Sequence, residues 1–284
     1  MRAVLLILAI VSLTAPPLAA RSFLDLLIGR RDLEVITVTD ATPAGRAWGA
    51  ASKDKPQYYV GISLGFRDLG AAIGGIKEPP PNDALRLIAA ELAKQGYLPA
   101  TEKSPPATLM LAYTWGTLNA DIDSGVDLDL PPRQRNRAQI VAFLGGRKMG
   151  FDNNFFDPLT APITGLQTMS FDARQIYEVA REDFYIVVVS AYDLAALRQK
   201  KKQLLWMTRI SAPSLGLDLG ASMPSMLAIA GPHFGRETTQ PVWTNATDKF
   251  KPNVKLGELQ LVEYLGNSPL PVVDRSKNLK KPKR

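Results

Sequence analysis

The chain is 284 residues long, carries a formal net charge of +7 and contains no cysteine. Disulfides, thiolate metal sites, thiol nucleophiles and lipid attachment through an N-terminal cysteine are therefore excluded, and a single histidine leaves zinc without a ligand set. The charge is local: the tail DRSKNLKKPKR, residues 274–284, holds six cations against Asp274, so the rest of the chain is close to neutral.

The first residues, MRAVLLILAIVSLTAPPLAARS, place Arg2 ahead of an apolar run, followed by small residues ending at Ala19 and Ala20. That is the layout of a secretory signal peptide over residues 1–20. The run is shorter than the ~20 apolar residues a permanent span requires; an uncleaved anchor is the alternative. No later stretch is apolar enough to cross a bilayer, so the mature chain is expected to have no transmembrane helix and to reside in the periplasm or the outside medium.

Residues 33–38, LEVITV, are β-branched and apolar and predict a strand. Residues 58–66, YYVGISLGF, alternate, and a strand with Tyr58, Val60, Ile62, Leu64 and Phe66 turned inward accounts for each position and leaves Ser63 outward. A helix is expected from Asp83 to Gln95, capped by Asn82, striped by Leu85, Ile88, Ala89 and Leu92, and ended by Gly96. Residues 108–118 alternate as a strand with Leu109, Leu111, Tyr113 and Trp115 on one side.

From Asn119 to Asp183 the pattern loosens. A helix is expected from Arg133 to Leu144 between Pro131-Pro132 and Gly145-Gly146, and another from Ala173 to Glu182, where Asp172 and Gln175 have capping-box spacing. The stretch between them shows no periodic element, and Phe151, Phe155 and Phe156 read either as anchors onto the core or as a binding lip. Residues 184–193 and 203–211 are rich in β-branched and aromatic residues and predict a hairpin whose polar tip holds Lys200, Lys201 and Lys202. A short helix around residues 224–230 and a last strand in KLGELQLVEYLG complete the expected elements. No internal repeat has a fixed period.

Several stretches approach known motifs. Gly61-Ile62-Ser63-Leu64-Gly65 fits G-x-S-x-G, with His233 downstream, but glycines at 65, 70, 74 and 75 and three prolines follow where a nucleophile elbow needs a helix. In Gly70 to Lys77, Ile76 separates the glycine from the lysine and prolines again forbid the helix of a phosphate-binding loop. Asp121, Asp123, Asp127 and Asp129 alternate as calcium ligands can, yet Val126 and Pro132 stand where an EF-hand loop places glycine and glutamate. A solvated acidic loop is the competing reading.

Two segments carry a resemblance. Leu92, Ala93, Gly96 and Tyr97 close a helix ahead of an alternating strand, and Asp193, Lys202 and Trp206 mark a later hairpin. In both places the chain resembles, weakly and in part, a family of bacterial cell-envelope domains of unknown function often found in lipoproteins. That resemblance implies a compact α+β sandwich in the envelope and carries over no catalytic residue. The chain departs from the family in lacking the lipid-bearing cysteine, in residues 119–183, which look like an insertion, and in SPPATLML before the middle strand.

The sequence therefore predicts an α+β fold: a mostly antiparallel sheet covered by one or two helices, with a helical and loop insertion in its middle. The expected organisation is a signal peptide at 1–20, an N-terminal strand and linker at 21–55, one domain at 56–265 with its insertion at 119–183, and a disordered basic tail at 266–284. The leading functional expectation is an exported, non-catalytic binding or assembly module without a cofactor. Its partner would be an envelope protein or an anionic surface met by the tail, with no nucleic acid. The alternatives are a hydrolase using Ser63, with His233, or a carboxylate pair, and a calcium-dependent structural module built on Asp121, Asp123, Asp127 and Asp129.

Overall fold

The computed structural model describes residues 33–72, 77–123, 133–151 and 169–246. Its strands are β1 (Glu34–Ala41), β2 (Gln57–Leu69), β3 (Tyr97–Pro99), β4 (Leu109–Leu118), β5 (Ile122–Asp123), β6 (Arg133–Gln134), β7 (Phe184–Asp193), β8 (Leu204–Pro213) and β9 (Val242–Asn245). Its helices are α1 (Pro43–Trp48), α2 (Pro81–Lys94), α3 (Arg137–Phe143), α4 (Phe171–Val179), α5 (Leu194–Arg198) and α6 (Leu219–Ala230). Seven strands form a mixed sheet in the order β3-β2-β4-β7-β8-β1-β9, and β5 pairs with β6. The pairings β1–β8, β1–β9, β4–β7 and β7–β8 are antiparallel, while β2 runs parallel to β3 and β4. The expected α+β class holds.

One face of the sheet carries the larger core. Leu109, Leu111, Tyr113 and Trp115 of β4 join Val187 and Val189 of β7 and Ile210 of β8 beneath α2 and α6. Within α2, Ala84, Ile88 and Leu92 recur every four residues, which stacks them on one side of the helix toward the sheet. Each fully buried Ile or Leu here contributes about 1.5–3 kcal/mol by leaving water. The other face is only partly covered: α3, α4 and the turn at Gly146–Met149 lie over Ile36 and Val38 of β1, Leu118 of β4 and Ile186 of β7. Described residues between 119 and 183 thus form this second cover. Arg137 lies 3.5 Å over the Tyr177 ring, and Phe151 stacks on Tyr177 at 6.2 Å, which ties α3 to α4.

Some local expectations need correction. In β2 the inward and outward faces are exchanged over the first half: Tyr59 is 4 % exposed, whereas Val60, Ile62 and Leu64 are 41, 45 and 49 % exposed. A bulge between Ser63 and Phe66 then flips the phase, so Phe66 does pack on the core. Helix α2 begins at Pro81, with Pro80 as a cap that makes no side-chain bond, so Asn82 lies inside the first turn. Ser170, not Asp172, caps α4 by accepting the Ala173 N–H, and α3 starts four residues later than expected because Arg133 and Gln134 pair with β5. The hairpin tip contains α5, whose cap is Asp193. Helix α6 starts earlier than expected, at Leu219, under an Asp218 cap. Strands β3 and β9 and helix α1 were not anticipated, and the strand expected in residues 255–266 lies outside the described residues.

Candidate functional site

Where the second cover stops, a cleft of about 630 Å³ opens between α3, the Gly146–Met149 turn and the bare sheet. Its base is Arg209, the one charged residue of β8, which faces the same side as Val188 and Met207. The Arg209 guanidinium donates to the Ala142 carbonyl at 2.9 Å and to Asp40 Oδ2 at 2.5 Å, and its Nε is buried without a hydrogen-bond partner among the described residues. Lys148 donates from its Nζ to the Thr238 carbonyl at 2.7 Å and pairs with Asp40 Oδ1 at 2.9 Å. Arg147, exposed at the mouth, makes no ion pair with a described residue. Arg147, Lys148 and Arg209 thus line the cleft with one carboxylate, Asp40, while Glu237 Oε1 lies 3.9 Å from Lys148 Nζ.

Burial lowers the Arg209 pKa, a shift that Asp40 opposes and Arg147 reinforces. Arginine nevertheless keeps its charge at neutral pH, and its planar fork suits carboxylate and phosphate oxygens. The cleft can hold an anionic group beside an apolar wall containing Phe143, Val188 and Met207. Next to it along the bare face, Ile62, Leu64, Met110, Ala112 and Tyr192 line a second trough of about 380 Å³, with Lys202 Nζ 5.7 Å from the Tyr192 ring.

The structure does not bring the sequence-derived candidates together. Ser63 lies in β2, where its Oγ accepts the Gly65 N–H at 3.2 Å, while the His233 carbonyl accepts Thr39 Oγ1 of β1 at 2.8 Å. Strands β2 and β1 stand four positions apart in the sheet, about 19 Å at the usual strand spacing. Asp121 lies beside the start of β5, where its N–H donates to Asn136 Oδ1 at 2.9 Å, and Asp123 belongs to β5; Asp127 and Asp129 lie outside the described residues. Among the described residues no group of three His, Cys, Asp or Glu could hold a metal ion. Phe151 is a core anchor at 4 % exposure, and Phe155 and Phe156 lie outside the described residues. Residues 73–76 of the phosphate-loop near-match also lie outside them.

Asp40, Arg147, Lys148 and Arg209 went unnoticed in the sequence because they form no motif: Asp40 and Arg209 are 169 residues apart. One signal was available. Arginine is the one charged residue in the strand LLWMTRISAP and is a residue type that is almost never buried unpaired.

No family model matches the chain, and no curated protein does. Among solved structures it is similar to a dodecameric PelC variant from Paraburkholderia phytofirmans (12 % identity, TM-score 0.29, 68 % of this chain and 93 % of that one). It is also similar to a DUF4136 family protein from Bacteroides thetaiotaomicron (12 % identity, TM-score 0.29, 74 % of this chain and 100 % of that one). A PDZ domain protein from Parabacteroides distasonis matches at 8 % identity and TM-score 0.37, over 76 % of this chain and 40 % of that one. Likeness at this level carries no argument about activity. Among the described residues no helix is long and apolar enough to cross a membrane.

Proposed function

We propose that the chain is an exported, non-catalytic binding module of the cell envelope whose partner presents an anionic group to the cleft at Arg209. The observation that carries this reading is the geometry of Arg209, held by Asp40 and the Ala142 carbonyl with a buried, unmatched Nε, and flanked by Lys148 and Arg147. A buried cation this well fixed is preorganised, so an incoming carboxylate or phosphate meets charge already in place. The separation of Ser63 from His233 favours binding over hydrolysis. The signal-peptide layout of residues 1–20 supports an exported module, and the basic tail at 266–284 supports a second, sequence-independent contact to anionic surfaces.

Calorimetric titration with inorganic phosphate and with a short acidic peptide tests the cleft. Binding that weakens at least tenfold in Arg209→Met, with the thermal unfolding transition retained, supports the reading. Equal heats from the native chain and the variant sink it. Export is tested separately by sequencing the N-terminus of the protein recovered from an envelope fraction: a chain beginning at Arg21 is expected, and one beginning at Met1 in the cytoplasm refutes export.

A further inference from the structure

Strand β2 is long, but β3 pairs only with its first residues, Gln57, Tyr58 and Tyr59. From Val60 to Leu69 its outer edge meets no other strand among the described residues. Exposed strand edges of this kind are templates for pairing with another chain. The Thr108 N–H donates to the Tyr58 carbonyl and the Asn119 N–H to the Leu69 carbonyl, both on the β4 side, whereas the Ala100 N–H donates to the Tyr59 carbonyl on the β3 side. Backbone groups alternate sides along a strand. Gly61 and Ser63 before the bulge, and Phe66 and Asp68 after it, therefore direct their N–H and C=O groups outward.

That pattern is self-complementary. With the bulge as its centre, an antiparallel copy sets Ser63 opposite Phe66 and Gly61 opposite Asp68, and each pair exchanges two backbone hydrogen bonds. The same register sets Ile62 against Arg67, Val60 against Leu69 and Leu64 against Gly65, so the two Leu64 residues flank the axis. The register against β4 places Val60, Ile62, Arg67 and Leu69 on the same face, so every one of these pairs shares the open side of the sheet. Val60, Ile62, Leu64 and Leu69 are 41, 45, 49 and 41 % exposed, and all of them enter the contact. The pairing stops where β3 begins, so β3 does not obstruct it.

We infer that this edge is a two-fold interface on which β2 of a second copy of the chain pairs antiparallel, joining the two sheets. A second copy is the occupant because the hydrogen-bonding phase and the side-chain face match under reversal of the same strand, which also sets Val60 against Leu69. An isologous contact requires that property and an unrelated partner does not. One strand edge and four half-exposed apolar side chains from each copy fall at or below the ~1,200 Å² of a stable interface, so the dimer exchanges with monomer at micromolar concentration. This inference is independent of the cleft at Arg209.

Sedimentation velocity on the chain purified after export, over the micromolar to sub-millimolar range, tests it with two variants. The native chain is expected to shift from monomer to dimer. Ile62→Lys faces Arg67 of the second copy and is expected to weaken the dimer at least tenfold, and adding Arg67→Glu to it restores association. A native chain that stays monomeric overturns the proposal, as does an Ile62→Lys variant that dimerises like the native chain. So does a double variant no stronger than Ile62→Lys, because the register then is wrong. Ile62 is half exposed and outside both buried cores, so a circular-dichroism spectrum unchanged in the variants is expected.

Discussion

Asp40 and Arg209 meet diagonally across the antiparallel pair β1 and β8, where Asp40 is opposite Met207 and Arg209 opposite Val38, with Asp40 Oδ2 2.5 Å from Arg209 Nη2 and Asp40 Oδ1 taken by Lys148 at 2.9 Å. One carboxylate thus serves two cations whose side chains are each 16 % exposed, while its own side chain is 47 % exposed. Removing it has opposite consequences for stability and for binding. Breaking a fully buried pair costs about 3–5 kcal/mol; with Asp40 half in solvent, Asp40→Asn should destabilise by about 1–2 kcal/mol. The same change removes the cleft's main counter-charge, leaving Lys148 with Glu237 at 3.9 Å and Arg209 with no carboxylate partner among the described residues, and should tighten phosphate binding. Urea unfolding followed by tryptophan fluorescence and phosphate calorimetry, run on one preparation, check both signs. A variant that binds phosphate more weakly than the native chain contradicts the cleft.

Alkaline instability should come from the tyrosines of the main core. The Tyr97 hydroxyl accepts the Ala51 N–H at 3.2 Å, the ring lies 5.4 Å from Trp206, and burial pushes its pKa up to about 12. Burial likewise raises Tyr59, Tyr113 and Tyr185. A tyrosine whose folded pKa lies above its unfolded value keeps the native state protonated while the unfolded chain ionises. Its contribution is intact below pH ~10 and is lost as pH rises toward the folded value. For Tyr97 this amounts to about 2–3 kcal/mol between pH 10 and pH 12. Tyr97→Phe should be less stable at neutral pH, because the Ala51 N–H loses its acceptor, yet should lose stability less steeply above pH 10. Equal slopes for both proteins would refute the assignment.

Much of this core was legible because β4 alternates without ambiguity: Leu109, Leu111, Tyr113 and Trp115 share the covered face. In β2 the period was readable but its sign was not. Val60, Ile62 and Leu64 look like a core stripe, whereas Gly61 is the residue turned to the covered side, where a Cβ would sit 3.0 Å from the Tyr113 ring. Alternation identifies two faces and cannot say which is covered when the outer one is apolar as well. Helix caps were misplaced by two residues because Asn82 and Asp172 stand just inside turns that begin at Pro81 and after Ser170. The cleft was illegible for a different reason. Asp40, Lys148 and Arg209 come from a strand, a turn and another strand, so only the assembled sheet and its second cover bring them together.

Glycine at 116 sets how closely β2 and β4 can approach. Its φ is +151°, and a Cβ there would meet the Arg67 carbonyl oxygen at 1.8 Å, a backbone atom that cannot swing aside. Gly65 in the bulge has φ +73° but open space around it. Gly65→Ala therefore bears the conformational penalty alone, about 1–2 kcal/mol. Gly116→Ala adds a clash and should exceed ~3 kcal/mol. Urea midpoints of the two variants, measured side by side, test the order; a Gly116→Ala protein as stable as Gly65→Ala contradicts the close packing of β2 on β4.

Ser63 gives the sharpest separation between structural and catalytic readings of the chain. Its hydroxyl oxygen accepts one N–H, from Gly65, at an exposed bulge. Water can replace that bond, so Ser63→Ala should change stability by no more than ~0.5 kcal/mol. A nucleophile would instead need a base within hydrogen-bond reach, about 2.6–3.2 Å, and His233 lies beside β1, four strands away. Hydrolysis of p-nitrophenyl acetate should accordingly be the same for the native chain, Ser63→Ala and His233→Ala. Loss of ester hydrolysis in either variant, with folding intact, would mean that the sheet rearranges to join residues which this structure holds apart.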